Sequence, residues 1–166
     1  KEHLGLLNSK PIIKEAEEKF EKIFGRRYTG LTENYKTEDA EYIIITLGSI
    51  SGLVKETVDR LRENGRKVGM LRLRYLRPFP SEEIASAAGK AKAIAVLEKD
   101  ISFGNEGTVY TNVNSALYKH GLTIPSSNYI GGLGGRNISE EKIERIFDEL
   151  EDRETKVAFL GIGGDR

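Results

Sequence analysis

Glu41-Tyr-Ile-Ile-Ile-Thr-Leu47 is a near-continuous β-branched run, the mark of a strand buried on both faces. Two more short apolar runs follow, Val68 to Leu73 and Ala93 to Leu97. The segments between them are helix-length. Leu53, Val54, Val58 and Leu61 make an apolar stripe in the first, and Ile84 lies among alanines in the second. Strand, crossover and strand repeating in this way predict a three-layer α/β/α domain around a mostly parallel sheet. With 166 residues the chain is long enough for one such domain with a sizeable core.

The flanking segments fit this plan. Residues 1–10 read as a connection, with Gly5 and Asn8-Ser9 as breakers. Pro11 opens an amphipathic helix whose apolar positions are Ile12, Ile13, Ala16, Phe20, Ile23 and Phe24, and Gly25 closes it. The domain plan is thus a linker and helix over 1–27 and an α/β domain over 28–166. Tyr28, Leu31 and Tyr35 suit a short edge strand. Ser81 reads as the N-cap of a helix reaching Ala91. A further helix spans Thr108 to Lys119. Leu122 to Ile130 reads as a strand placed at an edge by Pro125. Asn137 to Asp152, capped by Ser139, is the last helix, and Lys156 to Ile162 a last strand.

Composition narrows the function classes. Lys plus Arg and Asp plus Glu each number 26, so the net charge is zero, which speaks against a nucleic-acid partner. No apolar run approaches the ~20 residues that span a bilayer, and no signal-peptide pattern precedes the first helix. No membrane partner and a cytoplasmic location are the expectations. Without cysteine, disulfides and thiolate-held metal or iron–sulfur sites are excluded from this chain. His3 and His120 lie far apart. The chain begins at Lys1 and its only methionine is Met70, so it reads as a fragment of a longer polypeptide.

No nucleophile stands beside a base at a recognised spacing, and Gly48-Ser-Ile-Ser-Gly52 matches neither the dinucleotide-binding nor the P-loop pattern. Its glycines read as a tight turn that lets the next helix pack close to the sheet. Polar residues collect instead at the expected strand ends: Arg72, Arg74 and Arg77, then Glu98 and Asp100, then the loop Gly131 to Arg136. Parallel strand ends point together, which makes Arg72, Arg74, Arg77, Glu98 and Arg136 a candidate interface or anion site. Surface ion pairs, such as Arg74 or Arg77 with Glu98, are the plainer reading. The glycine loop either cradles an anion with its amides or permits positive φ and close packing.

Four motifs in order then carry a resemblance: Ala40-Glu-Tyr-Ile-Ile-Ile-Thr-Leu-Gly-Ser49, Leu71-Arg-x-Arg-x-x-Arg-Pro-Phe-Pro80, Ala95-Val-Leu-Glu98 and Gly132-Leu-Gly-Gly-Arg136. Together they resemble the α subunit of 2-oxoacid:ferredoxin oxidoreductases, of the pyruvate:ferredoxin oxidoreductase (pyruvate synthase) type. The matched region is similar to the C-terminal domain of that subunit, itself similar to the transketolase C-terminal domain. The resemblance implies a five-stranded mixed sheet with its first strand antiparallel. It implies an enzyme that decarboxylates a 2-oxoacid on thiamine diphosphate, reduces ferredoxin through iron–sulfur clusters and makes acyl-coenzyme A. This fragment is then expected to bind no cofactor, to be inactive alone, and to serve assembly with other subunits or as a homo-oligomer. Ferredoxin and coenzyme A are partners at the level of the complex. Family members often carry aspartate in place of Glu98 and a Gly-Pro pair near Glu106-Gly107, which leaves the 2-oxoacid open. A transketolase or dehydrogenase-complex C-terminal domain, or a stand-alone α/β interaction or ligand-binding module, are the alternatives.

Overall fold

A computed structural model describes residues 1–28, 30–153 and 155–161. Helices α1 (Glu2–Leu7) and α2 (Ser9–Phe24) lead into β1 (Thr32–Tyr35) and β2 (Tyr42–Leu47). Then follow α3 (Ile50–Glu63), β3 (Val68–Leu73), α4 (Ser81–Ala88), β4 (Ala93–Glu98), α5 (Thr108–Lys119), β5 (Ser126–Gly131), α6 (Glu140–Glu151) and β6 (Val157–Leu160). The strands form one mixed sheet in the order β1-β3-β2-β4-β5-β6. Only β1 runs antiparallel, against β3.

The β-branched runs fill the middle of this sheet. Ile43, Ile44 and Ile45 of β2 and Ile94 and Val96 of β4 are fully buried, as expected where helices cover both faces. Side-chain alternation sends Ile44, Met70 and Leu97 into a core under α3 and α6. Ile43, Ile45, Leu71 and Val96 go to the other face, under α4 and α5. Buried Thr46 donates to the Leu97 carbonyl at 2.8 Å, fastening β2 to β4. Arg62 of α3 reaches the Val68 carbonyl at 2.6 Å, the Lys36 carbonyl at 2.7 Å and both oxygens of Asp39. It thereby holds the β1–β2 loop beside the start of β3. Gly69 is required there, because a Cβ would lie 2.6 Å from the Lys36 carbonyl oxygen.

One crossover differs from the others. The chain moves from β3 over β2 to β4, and on to β5, with α4 and α5 on one face. It moves in the same direction from β5 to β6, but α6 lies on the opposite face, beside α3. The β5–α6–β6 connection therefore has the opposite hand to the two before it, against a strong general preference for one hand. Gly132, Gly134 and Gly135 all have positive φ, and they turn the chain to the other face.

Several expectations need correction. The sheet has six strands rather than five, because residues 157–160 pair with β5; the expected continuation at Ile162 lies outside the described residues. The strand containing Ser126 is no edge: Pro125 precedes it, its carbonyl accepts from the Ile94 amide, and β6 covers its far side. Within residues 1–10, Glu2–Leu7 and the start of α2 at Ser9 are helical, so Pro11 lies inside α2 rather than opening it. Pro80, not Ser81, holds the N-cap position of α4, and that helix stops at Ala88 with Gly89 as its C-cap. A Cβ at Gly48 or Gly52 would meet nothing within 4 Å, so these glycines serve no close packing. Gly48 serves its positive φ of 69° instead.

Candidate functional site

Chain direction splits between β2 and β4. From β2 it leaves through α3 over one face, and from β4 through α5 over the other. In an open α/β sheet, ligands settle at the carboxyl ends of strands beside such a split. Ser49 follows β2 here, Lys99 follows β4, and Arg136 follows β5.

Glu98, the last residue of β4, is 1% exposed. Its Oε2 accepts from the Val109 amide at 2.8 Å, and its Oε1 accepts from the Tyr110 amide at 3.0 Å and Asn128 Nδ2 at 3.0 Å. Asn128 also donates to the Val96 carbonyl, and its Oδ1 accepts from the Gly107 amide at 2.7 Å. Burial raises the Glu98 carboxyl above its ordinary range, while the two amides and Asn128 pull the other way. The carboxylate sits at the positive end of α5 and ties that helix to β4 and β5. A Cβ on Gly107 would overlap Glu98 Oε1 and come within 2.8 Å of Asn128 Oδ1.

The three arginines around β3 diverge. Arg72 lies 3.5 Å from Glu33 of the antiparallel neighbour. Arg74 stacks on the Tyr28 ring, 4.2 Å from its centroid. Arg77 donates to the Leu76 carbonyl at 2.6 Å and to Asn112 at 3.4 Å, and lies over Phe79. Because β2 separates β3 from β4, Arg74 and Arg77 form no pair with Glu98. Arg136 bonds to the Leu133 carbonyl of its own loop. No hydrogen bond or ion pair joins any two of the five candidate residues.

The split instead gathers Arg136, a candidate from the sequence, with Ser49 and Lys99, which the sequence did not mark as site residues. Ser49, Ile50, Leu53, Lys99, Gly135, Arg136, Asn137 and Ile138 line a cleft of about 300 Å³. Lys99 Nζ lies 3.4 Å from Ser49 Oγ. The only legible signal for Lys99 was its place directly after a buried strand. Asn128 gave none, since a polar residue inside a strand shows its role only once its partners are placed.

Among the described residues no helix is long and apolar enough to cross a membrane. No group of three His, Asp or Glu side chains among them is arranged to hold a metal ion. With no cysteine in the chain, an iron–sulfur cluster does not fit on these residues.

Comparison with known proteins gives concordant matches. Residues 40–143 match the family described as pyruvate:ferredoxin oxidoreductase core domain II. The chain is 41% identical over 153 residues to pyruvate synthase subunit PorA of Methanosarcina barkeri, a match covering 92% of this chain and 37% of that subunit. It thus spans little more than a third of that relative's length. In fold it is similar to a 2-oxoglutarate:ferredoxin oxidoreductase from Magnetococcus marinus, solved with 2-oxoglutarate, coenzyme A and succinyl-CoA bound. That likeness has a TM-score of 0.53 at 23% identity, over 76% of this chain and 20% of the other. A split-gene transketolase has a TM-score of 0.54 at 15% identity, over 75% and 42% of the two chains. The last two likenesses speak to the fold alone.

Proposed function

This chain belongs to the pyruvate:ferredoxin oxidoreductase core domain II family, and from that premise we propose that it is one domain of the α subunit of a 2-oxoacid:ferredoxin oxidoreductase acting on pyruvate. The complete enzyme decarboxylates its substrate on thiamine diphosphate, passes two electrons through iron–sulfur clusters to ferredoxin, and transfers the acyl group to coenzyme A. What carries this reading is the 41% identity to a pyruvate synthase subunit across 92% of the chain. The clusters belong to other parts of the complex, because this chain offers no thiolate.

The role of this domain is assembly. Neither α1 nor α2 has a single buried residue, although Ile12 and Ile23 are apolar and 64% and 73% exposed. That face, over residues 1–27, packs against another part of the complex, while residues 28–166 form the α/β domain. Arg77 adds a second contact: exposed and without a carboxylate partner among the described residues, it bridges to an acidic side chain of a neighbouring subunit.

The test is turnover of the assembled, cytoplasmic complex with viologen dye, coenzyme A and a panel of 2-oxoacids. Pyruvate should give the highest kcat/KM, and this chain alone should give none. Preference for 2-oxoglutarate or a branched 2-oxoacid would overturn the substrate assignment. Pyruvate-dependent dye reduction by the isolated chain would overturn the division of labour.

A further inference from the structure

The cleft where the chain divides between β2 and β4 is not explained by assembly. Its two cations have no acidic partner among the described residues. Among the described residues Lys99 forms a polar contact only with Ser49 Oγ, and Arg136 only with a loop carbonyl, whereas Arg60, Arg62 and Arg66 elsewhere all bind carboxylates at 2.7–2.8 Å. No carboxylate among the described residues lines the cleft. The groove beside α2, in contrast, carries Glu17, Glu18, Glu21 and Glu83.

The glycine loop runs beside both cations, which are exposed. Gly132 has a φ of 76°, and a Cβ on it would stand 3.0 Å from Lys99 Cε, so the lysine stem lies along the glycine loop. A Cβ on Gly134 would stand 3.3 Å from Arg136 Nη1. The start of α3 opens on the same cleft through Ser49 and Ile50. Its first turn has no acidic residue and no side-chain cap, so among the described residues no side chain offsets the positive end of that helix. The corresponding end of α5 is satisfied by Glu98. Buried Ile50 and Ile138, with Leu53, give the cleft an apolar floor.

We infer that this cleft binds a phosphate-bearing small molecule, with Lys99 and Arg136 on the phosphate oxygens and the apolar floor under the rest of the ligand. Arginine suits a phosphate by its fork of donors and lysine by its compact charge. The assignment does not depend on which 2-oxoacid the enzyme uses, nor on whether α2 is an interface.

The test titrates inorganic pyrophosphate into the isotopically labelled chain at constant ionic strength and follows backbone amide shifts. Saturable shifts at Ile50, Ser51 and Gly52 are expected, with affinity at least tenfold weaker in the Lys99→Ala, Arg136→Ala double variant. Lys99→Arg should retain binding. Lys92→Ala, at the other end of β4 and paired with Glu41, should bind as the parent does. An ADP arm identifies the source of the phosphate. Tighter binding with shifts extending to Leu53 and Ile138 indicates a nucleotide, and equal affinity indicates recognition of the diphosphate alone. Absent or non-saturating shifts, shifts spread over surface lysines, or undiminished binding by the double variant would each overturn the site.

Discussion

The Glu98 carboxylate, at the end of β4, lies 2.8 Å from the amide of Val109 in the first turn of α5. A strand thus ends by supplying the cap of the helix that follows it, across a nine-residue loop, 99–107. Glu98→Gln keeps the shape but places an NH₂ where one of three donors needs an acceptor. A loss of about 1–3 kcal/mol is expected from one unsatisfied buried donor. Urea unfolding of the two proteins measures it; equal midpoints would mean that the bond is dispensable.

Gly107→Ala should be worse than its chemistry suggests. The φ of −64° at Gly107 suits any residue, so the obstacle is the clash with Glu98 and Asn128 alone. A loss of about 2 kcal/mol or more is expected, in the range of other overpacked core sites. Gly52→Ala should go the other way. Open space surrounds it inside α3, and replacing a helical glycine by alanine stabilises by roughly 0.5–1 kcal/mol. Thermal melts of the pair should move in opposite directions; a shared direction would contradict the geometry.

At high pH, Tyr35 becomes informative. Its hydroxyl donates to Asp59 at 2.6 Å, and this bond, with burial and the nearby carboxylates, pushes its pKa from 10.0 up to about 12. The folded protein therefore holds that proton more tightly than the unfolded chain does. The resulting stability is complete below pH 10 and is lost as the pH rises towards 12. The stability difference between the parent and Tyr35→Phe should accordingly shrink across that window. Denaturant midpoints at pH 8, 10 and 12 test it, and a constant difference would show that the hydroxyl titrates as it does in the unfolded chain.

The apolar faces of α1 and α2 lead to a hydrodynamic prediction. Leu4, Ile12, Ile23 and Phe24 are all more than half exposed. The chain on its own should self-associate at high concentration, and the Ile12→Asp, Ile23→Asp double variant should sediment as a monomer with an unchanged melt. A strict monomer from the parent chain would remove the case for a sticky face there.

Much of the layout was legible because its signals are local. The β2 run, the α3 stripe and the span of α5 each follow from residues within one segment, and the antiparallel place of β1 followed from the family likeness. The candidate site was less legible because it depends on strand order. Arg74 follows one buried strand and Glu98 ends another, yet β2 lies between those strands. No periodicity in either segment encodes that separation. Glu98 looked like a surface acid because its partners, Val109, Tyr110 and Asn128, come 11, 12 and 30 residues later. The edge assignment at Pro125 failed because proline blocks pairing only at its own position, and the strand starts one residue beyond it.

The reversed hand of the last crossover bears on the order in which the two cores can close during synthesis. The core under α4 and α5 draws its helices from one contiguous stretch, residues 81–119. The core under α3 draws its second helix from residues 140–151. A chain emerging from its N-terminus can therefore seal one side of the sheet while Val54, Val58 and Leu61 of α3 still wait for Ile143, Ile146, Phe147 and Leu150. Until α6 leaves the ribosome, this protein has one finished face and one adhesive face.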